Sequence, residues 1–380
     1  MAKEKAGKKP APAPARAPAS PPRVPALASL RGKIDRIDQE LVKLMNERAK
    51  IALEVGKVKD SSGISTYAPS REDEVIANVL SLNKGPLSER CLRSVFRELI
   101  SGSRSLEKEL RVAYLGPAYS YSHLAAIHRF GQSVDLVPVG SIPAVFEEVN
   151  RRHAEYGIVP VENSTDGRVA DTLDMFARLP VKICGEVQLR IHHNLLGKCS
   201  RAEIEEVYSR PQALSQCRNW LTKHLPTART IEVTSTSTAA QLAQDKPGAA
   251  AIASVQAGVH YGLNVLAADI EDNQGNLTRF AVIGEESGPR TGGDKCALMF
   301  EIPHKPGALA DAMTVFKRSR LNLTWIESFP IARPEGGYMF FVELEGHELD
   351  TRVRKAIAAL ERKAVRLEIL GSYAKLAPID

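Results

Sequence analysis

A run of polar residues follows a predicted buried strand near the middle of the chain. Ile158, Val159 and Val161 are typical of the end of such a strand. The five residues that follow are all polar: Glu162, Asn163, Ser164, Thr165 and Asp166. Because ligands of open α/β sheets bind at the carboxyl ends of strands, this stretch is a candidate binding site. The other interpretation is a turn in which Asn163 or Ser164 caps the next helix.

A second candidate lies at the start of another predicted strand. Thr278 and Arg279 follow Leu277 there, and Phe280 to Ile283 complete an apolar run. A threonine and an arginine on either side of a pleat can both touch a ligand at a strand start. The alternative is that Thr278 is an ordinary β-branched strand residue.

A third candidate is a pair of cations in an apolar helix. From Leu30 to Val55, apolar residues recur every three or four positions, which predicts a long helix with a packed stripe. Arg48 falls inside that stripe, where an unpaired guanidinium is costly, so a carboxylate partner or an anionic ligand is expected. Lys59 lies about three turns further on and on nearly the same face. Two cations are therefore predicted to face one pocket.

Residues 25–108 are predicted to form a module of three helices around these cations. Gly63 interrupts the first helix and Pro69 begins the second. The third spans about residues 87–110. The second and third helices add four candidates, the last two of them paired at i, i+4: Arg71, Glu72, Ser103 and Glu107.

Residues 111–285 alternate predicted strands and helices, which favours a parallel α/β sheet. Ser122 and Thr238 each lie in a hydroxyl-rich entry to a helix. Adjacent His192 and His193 should point to opposite strand faces, so no metal site is expected. Residues 292–380 alternate as βαββαβ, a ferredoxin-like unit. Its first helix opens at Gly307, Ala308 and Leu309, where backbone N–H groups could hold a carboxylate.

Composition limits the classes of protein that fit. At 380 residues and 43% hydrophobic content, the chain can form two or three domains. The formal charge of +6 comes almost wholly from a Pro/Ala-rich tail, residues 1–24, which holds six basic residues and one acidic one. Such a tail is typical of a solvated leader, so nucleic-acid binding is not expected. No apolar run suggests a signal peptide or a membrane span, and a cytoplasmic location is predicted.

The cysteines and asparagines carry further expectations. Five scattered cysteines without a Cys-x-x-Cys pair predict reduced thiols and no zinc site. Asn163, Asn276 and Asn322 each open an Asn-x-Ser/Thr sequon. Without secretion these sequons cannot be glycosylated, so they need another interpretation.

The helical module resembles the all-helical chorismate mutase family. The shared stretches are Leu30-Arg31, Asn46-Glu47-Arg48, Glu54-Val55-Gly56-Lys57-Val58-Lys59, Arg71-Glu72 and Ser103 with Glu107. The resemblance implies that chorismate, a dianion, rearranges to prephenate without proton transfer or cofactor, in a site that holds its carboxylates and stabilises the ether oxygen.

By that resemblance each polar residue of the module has a role. Arg31, Arg48 and Arg71 would hold carboxylates, Lys59 and Glu107 would bond the ether oxygen, and Glu72 and Ser103 would complete the site. The counterpart of Arg31 reaches into a partner subunit, which implies a homodimer or a higher homo-oligomer. Glu107 stands where some members have Gln, so it must be protonated to donate, which should favour lower pH. The alternative is a coiled-coil dimerisation module.

The α/β centre resembles prephenate dehydratase. The shared stretches are Gly116-Pro117 with Ser122-His123, Val159-Pro160-Val161-Glu162-Asn163-Ser164 with Gly167, Gly185-Glu186, Arg210-Pro211-Gln212-Ala213-Leu214 with Cys217, Thr236-Ser237-Thr238-Ala239 and Thr278-Arg279-Phe280. The resemblance implies two α/β lobes like those of a periplasmic binding protein, with the site between them. Prephenate would lose its ring hydroxyl and carboxylate there to give phenylpyruvate.

The dehydratase resemblance also assigns residues. Thr278 would donate a proton to the departing hydroxyl, Arg279 would anchor a carboxylate, and Phe280 would form an apolar wall. The rest of the cleft would be lined by Ser122, Asn163, Ser164 and Thr165 from one lobe and Thr238 from the other. Tyr119-Ser120 occupies a turn that commonly reads Gly-Thr, which sets this chain apart from the family pattern.

The last block resembles ACT regulatory domains. Gly307-Ala308-Leu309, Asn322-Leu323-Thr324 and Glu327-Ser328-Phe329-Pro330 carry that resemblance, although the family motif usually has Arg where Phe329 stands. It implies phenylalanine as an effector, bound near Gly307 to Leu309, Glu327 and Ser328. The alternative is an ACT unit that only dimerises.

The sequence thus predicts a bifunctional enzyme that converts chorismate to prephenate and then to phenylpyruvate, under feedback by phenylalanine. The rival hypothesis is a non-catalytic amino-acid-sensing protein with a binding cleft and a helical dimerisation module. The polar residues of the two sites favour the enzyme, because a sensor needs neither Thr278-Arg279 nor the Arg48 and Lys59 pair.

Overall fold

The protein is described from a computed structural model that covers residues 24–61, 69–107, 109–331 and 337–379. Nearly all of the predicted basic tail, and the predicted helix break at Gly63, lie outside these residues. Two compact units divide the chain, Met1–Ile51 and Ala52–Asp380. Every helix of the described ranges is too short or too polar to cross a membrane.

Three helices make up the helical module: α1 (Val24–Ser61), α2 (Pro69–Leu82) and α3 (Glu89–Glu107). The apolar stripe of α1 is largely exposed, with Leu30, Ile34, Ile37, Leu41, Leu44 and Ile51 between 50% and 62% exposed. A helix of this length does not keep such a stripe in water without a partner surface.

The first α/β sheet has the strand order β2-β1-β3-β11-β5, with β4 paired to β3. Its strands are β1 (Arg111–Leu115), β2 (Asp135–Val139), β3 (Tyr156–Asn163), β4 (Gly167–Arg168), β5 (Lys182–Arg190) and β11 (Leu277–Gly284). Helices α4 (Tyr121–Phe130), α5 (Ile142–Asn150) and α6 (Ala170–Arg178) complete this lobe. The prediction of a parallel sheet is wrong in part, because β11 returns from the second lobe antiparallel to β3 and β5.

The second α/β sheet has the order β10-β6-β9-β7-β8. Its strands are β6 (Asn194–Gly197), β7 (Glu206–Ser209), β8 (Arg229–Glu232), β9 (Ala249–Ala253) and β10 (Asn264–Ala267). Its helices are α7 (Pro211–Gln216), α8 (Arg218–His224), α9 (Thr236–Asp245) and α10 (Val255–His260). The chain enters this lobe after β5 and leaves it before β11. Both crossovers therefore connect to neighbouring strands of the first sheet, β5 and β11, and Thr278 is the second residue of β11.

The third sheet is fully antiparallel, in the order β13-β14-β12-β15. The elements are β12 (Asp294–Glu301), α11 (Ala308–Arg318), β13 (Leu323–Pro330), β14 (Tyr338–Glu345), α12 (Thr351–Glu361) and β15 (Arg366–Ala374). This is the predicted βαββαβ order of a ferredoxin-like unit. One sheet face packs under α11 and α12, and the other contributes Met299, Phe341 and Tyr373 to the core of the first lobe. Burial of such side chains stabilises the contact by about 1.5–3 kcal/mol each.

Candidate active sites

Two residues that lie far apart in the sequence form the centre of the cleft site. Asn163 ends β3 and Thr278 is the second residue of β11, and the two strands pair them directly. The Asn163 Nδ2 group donates a hydrogen bond to Thr278 Oγ1 over 2.8 Å. The Thr278 oxygen therefore accepts a bond on one side and keeps its own proton for another acceptor.

The loop after β3 fixes the orientation of the Asn163 amide. Its Oδ1 accepts hydrogen bonds from the backbone N–H groups of Thr165 at 2.9 Å and Asp166 at 3.0 Å. Since the oxygen is engaged there, Nδ2 must face Thr278. Gly167 closes the loop with a φ of +80°, a left-handed conformation that favours glycine. The capping and binding interpretations of this stretch are thus compatible, because the turn itself orients the site.

A chain of side-chain hydrogen bonds extends from Asn163 into the second lobe. Asn163 Nδ2 also contacts Asn276 Oδ1 at 3.0 Å, and Asn276 donates to Gln216 Oε1 at 2.9 Å. The same Gln216 oxygen lies 2.8 Å from His193 Nε2, and Gln216 donates to Asp166 Oδ2 at 3.1 Å. This network links β3, β11 and α7, so it holds the two lobes together at the site.

Tyr121 joins this network from the first turn of α4. Its hydroxyl lies 3.2 Å from His193 Nδ1 and donates to the backbone oxygen of His192 over 2.8 Å. Burial raises the pKa of Tyr121 well above its ordinary value, and burial lowers the pKa of His193. Both groups are therefore neutral at pH 7 and act as hydrogen-bonding groups rather than charges. Ser122 is buried in the same helical turn.

The first turn of α9 brings hydroxyls from the second lobe. Thr238 Oγ1 lies 2.8 Å from the hydroxyl of Ser235, which also caps the helix by accepting from Thr238 N. Ser237 Oγ donates to the backbone oxygen of Ala118 over 2.6 Å. Because Ala118 lies just before α4, the N-termini of α4 and α9 approach each other where the two lobes meet.

Tyr119 takes a backbone conformation that favours glycine. Its φ is +63°, in the left-handed region. Its ring stacks on His260 of the second lobe, with centroids 4.0 Å apart, and its backbone N–H donates to His123 Nδ1 over 2.9 Å. The Tyr119-Ser120 departure from the family pattern therefore adds an aromatic contact between the lobes.

The hydrogen-bonded residues Asn163, Thr278, Asn276 and Gln216 are called the Thr278 group below. Arg279 lies away from this group, contrary to its predicted place in the cleft. Strand alternation turns it to the opposite sheet face, where its side chain is 11% exposed. There it forms an ion pair with Glu343 of β14, and its guanidinium stacks on Trp325 at 5.0 Å. Burial opposes its charge, yet Glu343 raises the pKa of Arg279 above its ordinary value. In this arrangement the guanidinium faces Glu343 and Trp325 rather than Thr278.

Phe280 does not form a wall of the cleft either. It is 2% exposed and packs in the core of the first lobe with Val112, Phe130 and Ile158. Ser164 is engaged by its own turn, since its hydroxyl donates to Gly275 O at 3.1 Å and accepts from Leu277 N at 2.9 Å. These contacts make both residues supports of the site.

The two adjacent histidines lie in the connection between β5 and β6, not on a strand as predicted. His192 Nδ1 lies 3.0 Å from Glu271 and 3.3 Å from Asp269. These three side chains have the donors and spacing of a possible metal site, which the sequence did not suggest. Both Glu271 oxygens are already engaged, because the second accepts from His193 N at 2.9 Å. A hydrogen bond between His192 and Glu271 that supports the fold is therefore enough to explain these contacts.

In the helical module, Glu72 and Arg104 form a buried ion pair between α2 and α3. Burial raises the pKa of the Glu72 carboxyl, and Arg104 opposes that shift. Arg71 is exposed and pairs with Glu74 at 2.7 Å. Ser103 is buried, and its hydroxyl donates to Leu99 O within the helix. In this arrangement Glu72 and Ser103 contact protein groups.

Glu107 at the end of α3 lies against Gly56 of α1. A methyl group added at Gly56 would come within 2.9 Å of Glu107 Cγ and 3.0 Å of Glu107 Oε2. A larger residue at Gly56 would therefore displace the Glu107 side chain. Lys59, one turn beyond Gly56, is half-buried. Arg31 is exposed on α1, Arg48 is half-buried, and burial lowers the pKa of Arg48.

The candidate regulatory motif contacts the strand beside the cleft loop. Arg168 of β4 forms an ion pair with Glu327 at 3.0 Å and donates to Ser328 O over 2.8 Å. Phe329 stacks on Phe341 and lines a cavity of about 320 Å³ that Arg168 also lines. Gly307 caps α11 with a φ of +83°, and Ala308 is buried beside half-exposed Leu309.

Comparison with known proteins gives matches over almost the whole chain. The family model described as "Chorismate mutase type II" matches residues 30–108, and the one described as "Prephenate dehydratase" matches residues 112–288. The bifunctional chorismate mutase/prephenate dehydratase of Aquifex aeolicus is 44% identical over 354 residues, which is 92% of this chain and 98% of that one. The chain belongs to the bifunctional chorismate mutase/prephenate dehydratase family.

Two solved structures resemble the part of the chain that carries the cleft. The prephenate dehydratase of Arthrobacter aurescens in complex with L-Phe is 32% identical, with a TM-score of 0.65, over 70% of this chain and 90% of that one. The prephenate dehydratase of Staphylococcus aureus is also 32% identical, with a TM-score of 0.62, over 70% of this chain and all of that one.

Membership of the bifunctional chorismate mutase/prephenate dehydratase family confirms the predicted pair of activities in phenylalanine biosynthesis, an isomerase followed by a carbon–oxygen lyase. It decides against the non-catalytic sensor. The roles of individual residues, the domain limits and the likeness to periplasmic binding proteins stay predictions.

Sequence reasoning for this chorismate mutase/prephenate dehydratase missed three members of the cleft network: Tyr121, Gln216 and Asn276. Asn276 did carry a signal, because Asn163 and Asn276 open two of the sequons that needed another interpretation, and these two amides contact each other. His193 was considered as a metal ligand and set aside, yet its ring is part of the same network.

Proposed function

We propose that Thr278 is the acid of the dehydratase step, and the hydrogen bond from Asn163 to Thr278 carries this proposal. Thr278 donates its proton to the ring hydroxyl of prephenate as the ring carbon–oxygen bond breaks, which releases water. The ring carboxylate leaves as carbon dioxide, and its bonding electron pair completes the aromatic ring. The threonine alkoxide then regains a proton from water. Asn163 stabilises the negative charge that develops on Thr278 Oγ1.

The side-chain carboxylate of prephenate needs an anchor other than Arg279. We assign this role to the first turns of α4 and α9, which meet through Ser237 and Ala118. Their backbone N–H groups and helix dipoles favour an anion. Ser122 and Thr238 lie in these turns, so the predicted cleft residues keep a place in the proposed site.

The test of the proposed function is to supply the purified protein with chorismate. Prephenate should form first and phenylpyruvate second, and added prephenate should be converted directly. A protein that turns over neither acid is not this enzyme. A protein that converts only prephenate lacks the mutase step, so the assay tests the mutase and dehydratase activities independently.

In the mutase step we propose that Arg31, Arg48 and Arg71 hold the carboxylates of chorismate. Lys59 and Glu107 stabilise its ether oxygen. The close contact of Glu107 with Gly56 supports its place beside α1. Glu72 is bound to Arg104, so its proposed role is limited to a substrate hydroxyl at the edge of the site.

Replacing Glu107 by glutamine should remove the pH dependence of the mutase step. A carboxyl group donates to the ether oxygen only when protonated, so the wild-type rate should rise as pH falls, whereas an amide donates at every pH. The measurement is mutase kcat/KM from pH 5 to pH 9 for both proteins. Glu98→Gln, a change at a carboxylate that instead accepts from Gln132, is the control. A wild-type rate that is flat with pH would contradict the role.

We propose that the enzyme is a homodimer or a higher homo-oligomer built through α1. The exposed stripe from Leu30 to Ile51 supports this, because a second copy of the helix would cover it. Arg31 would then act in the partner subunit's site. The five cysteines are free, which supports the cytoplasmic location.

We propose that the ferredoxin-like unit is an ACT domain and that phenylalanine is its effector. The related dehydratase of Arthrobacter aurescens was solved in complex with L-Phe, which supports the choice of ligand. Glu327 and Ser328 lie at the predicted effector motif with Gly307, Ala308 and Leu309. Their contacts with Arg168 give the effector a direct route to the loop that orients Asn163.

Replacing Arg168 by glutamine should weaken feedback while leaving the basal dehydratase rate within about twofold, since the Arg168 side chain bonds to Glu327 and Ser328 and the substitution keeps the backbone pairing of β4 with β3. The phenylalanine concentration for half inhibition should rise roughly tenfold, equal to a coupling loss of about 1.4 kcal/mol. Arg178→Gln, which breaks an exposed ion pair on α6, is the matched control. Unchanged inhibition in Arg168→Gln would rule out this route.

A further inference from the structure

A large cleft separates the mutase helices α2 and α3 from the dehydratase lobe. Its volume is about 910 Å³, and α4, β5 and the segment after β15 form its other walls. Ile76, Leu80 and Ile100 supply apolar surface from the helices. The size and mixed lining are typical of sites for small molecules. Its lining contains neither Asn163 nor Thr278, and of the residues given a role above it includes Glu72, at the edge of the mutase site.

Arginines line one side of the cleft at helical spacing. Arg90, Arg93, Arg97 and Arg104 recur along α3, and Arg129 of α4 completes the set. The lining therefore contains five arginines and four carboxylates. Three of those carboxylates are already neutralised by pairs: Glu72 with Arg104, Asp73 with Arg129, and Glu186 with Lys295.

The first half of α3 keeps its positive charge. Within the described part of the chain, Arg90, Arg93 and Arg97 form no ion pair. Arg97 lies 3.2 Å from His128 Nε2. Burial, together with Arg97, Arg129 and Arg93, lowers the pKa of His128 to about 3. A neutral imidazole can accept from Arg97 but cannot offset its charge.

We infer that this cleft binds a small dicarboxylate and that its ligand is prephenate held between the two reactions. This rests on the proposed function, which makes prephenate both the product of one module and the substrate of the other. The two carboxylates of prephenate can form ion pairs with the arginines of the first half of α3. Its ring can pack against the apolar surface of α2 and α3. The cleft is lined by α2 and α3 of the mutase module and by α4 and β5 of the dehydratase lobe, so an anion held there remains in contact with both modules.

The test compares the wild type with Arg93→Gln/Arg97→Gln after chorismate is added, following free prephenate and phenylpyruvate through the first turnovers. The double variant should release more prephenate and show a longer lag before phenylpyruvate. Two cation–anion contacts, one from exposed Arg93 and one from partly buried Arg97, together change affinity by roughly threefold to tenfold, which sets the expected change in the lag. Arg352→Gln/Arg354→Gln, which removes two exposed charges from α12, should behave as wild type.

The mutase rate and the dehydratase rate, each measured alone, distinguish failure of this inference from failure of the proposed function. Both rates should be unchanged in the double variant, which also shows that it is folded. Added salt should lengthen the lag of the wild type more than that of the variant, because salt screens the exposed arginines. Equal lags in the two proteins, or a wild-type lag equal to that of freely diffusing prephenate, would overturn the inference. Absence of either reaction in the wild type would instead refute the proposed function.

Discussion

Replacing Thr278 by valine should reduce dehydratase kcat by at least about 100-fold, the usual contribution of a positioned general acid. Valine keeps the β-branched shape and removes only the hydroxyl, so the strand should remain intact. The mutase rate should not change, because the helical module has its own site. The measurement is the rate of phenylpyruvate formation from added prephenate and the rate of chorismate loss, each on the same preparation.

Two matched variants make this result specific. Thr278→Ser keeps a hydroxyl at the same carbon and should retain activity within about tenfold of wild type. Thr230→Val makes the same chemical change at an exposed position of β8 and should have no effect. Near-normal dehydratase activity in Thr278→Val would remove Thr278 from the proposed role. Loss of both reactions in a folded Thr278 variant would contradict independent sites.

Substitution of Asn163 tests whether this residue acts through Thr278 or binds the substrate itself. Asn163→Ala should lower dehydratase kcat by roughly 10- to 100-fold, because Thr278 loses the donor that stabilises its developing charge. It should leave KM nearly unchanged if Asn163 acts through Thr278 alone. A rise in KM with normal kcat would show that Asn163 binds substrate instead, so one experiment distinguishes the two roles.

Local patterns were sufficient to predict much of this fold. The apolar repeat of α1 and the polar ends of β3 are set by residues close in sequence, as is the βαββαβ order of the third sheet. The antiparallel return of β11 was not predictable in this way. Its partners β3 and β5 lie about a hundred residues earlier, and no local signal gives strand direction.

The cleft was predicted only in part for a related reason. Asn163 and Thr278 were both found, because strand ends and hydroxyls carry local signals. The ion pair of Arg279 was not foreseen, because its position next to Thr278 does not reveal which sheet face receives the guanidinium. That choice depends on Glu343, 64 residues further along the chain, in a different module. Long-range ion pairs of this kind leave no periodic pattern in the sequence.

The Arg279–Glu343 ion pair joins β11 to β14 in the interior of the protein. Glu343 is buried and also accepts from Tyr373, while Lys295 lies 3.8 Å away. Replacing Glu343 by alanine leaves two buried cations with less compensation. Breaking a buried pair in this way costs about 3–5 kcal/mol, so the thermal unfolding temperature of the dehydratase and ACT region should fall sharply. Calorimetry of the purified variant measures this.

A double variant tests whether Arg279 supports the fold or anchors substrate. Arg279→Met/Glu343→Leu replaces both charges by apolar groups of similar size, and it should recover most of the stability that Glu343→Ala loses. If Arg279 supports the contact between β11 and β14, the double variant should also keep dehydratase KM within about threefold of wild type. If Arg279 instead anchored a prephenate carboxylate, Arg279→Met alone would raise KM by roughly tenfold or more with stability largely retained, and no change at Glu343 would restore it.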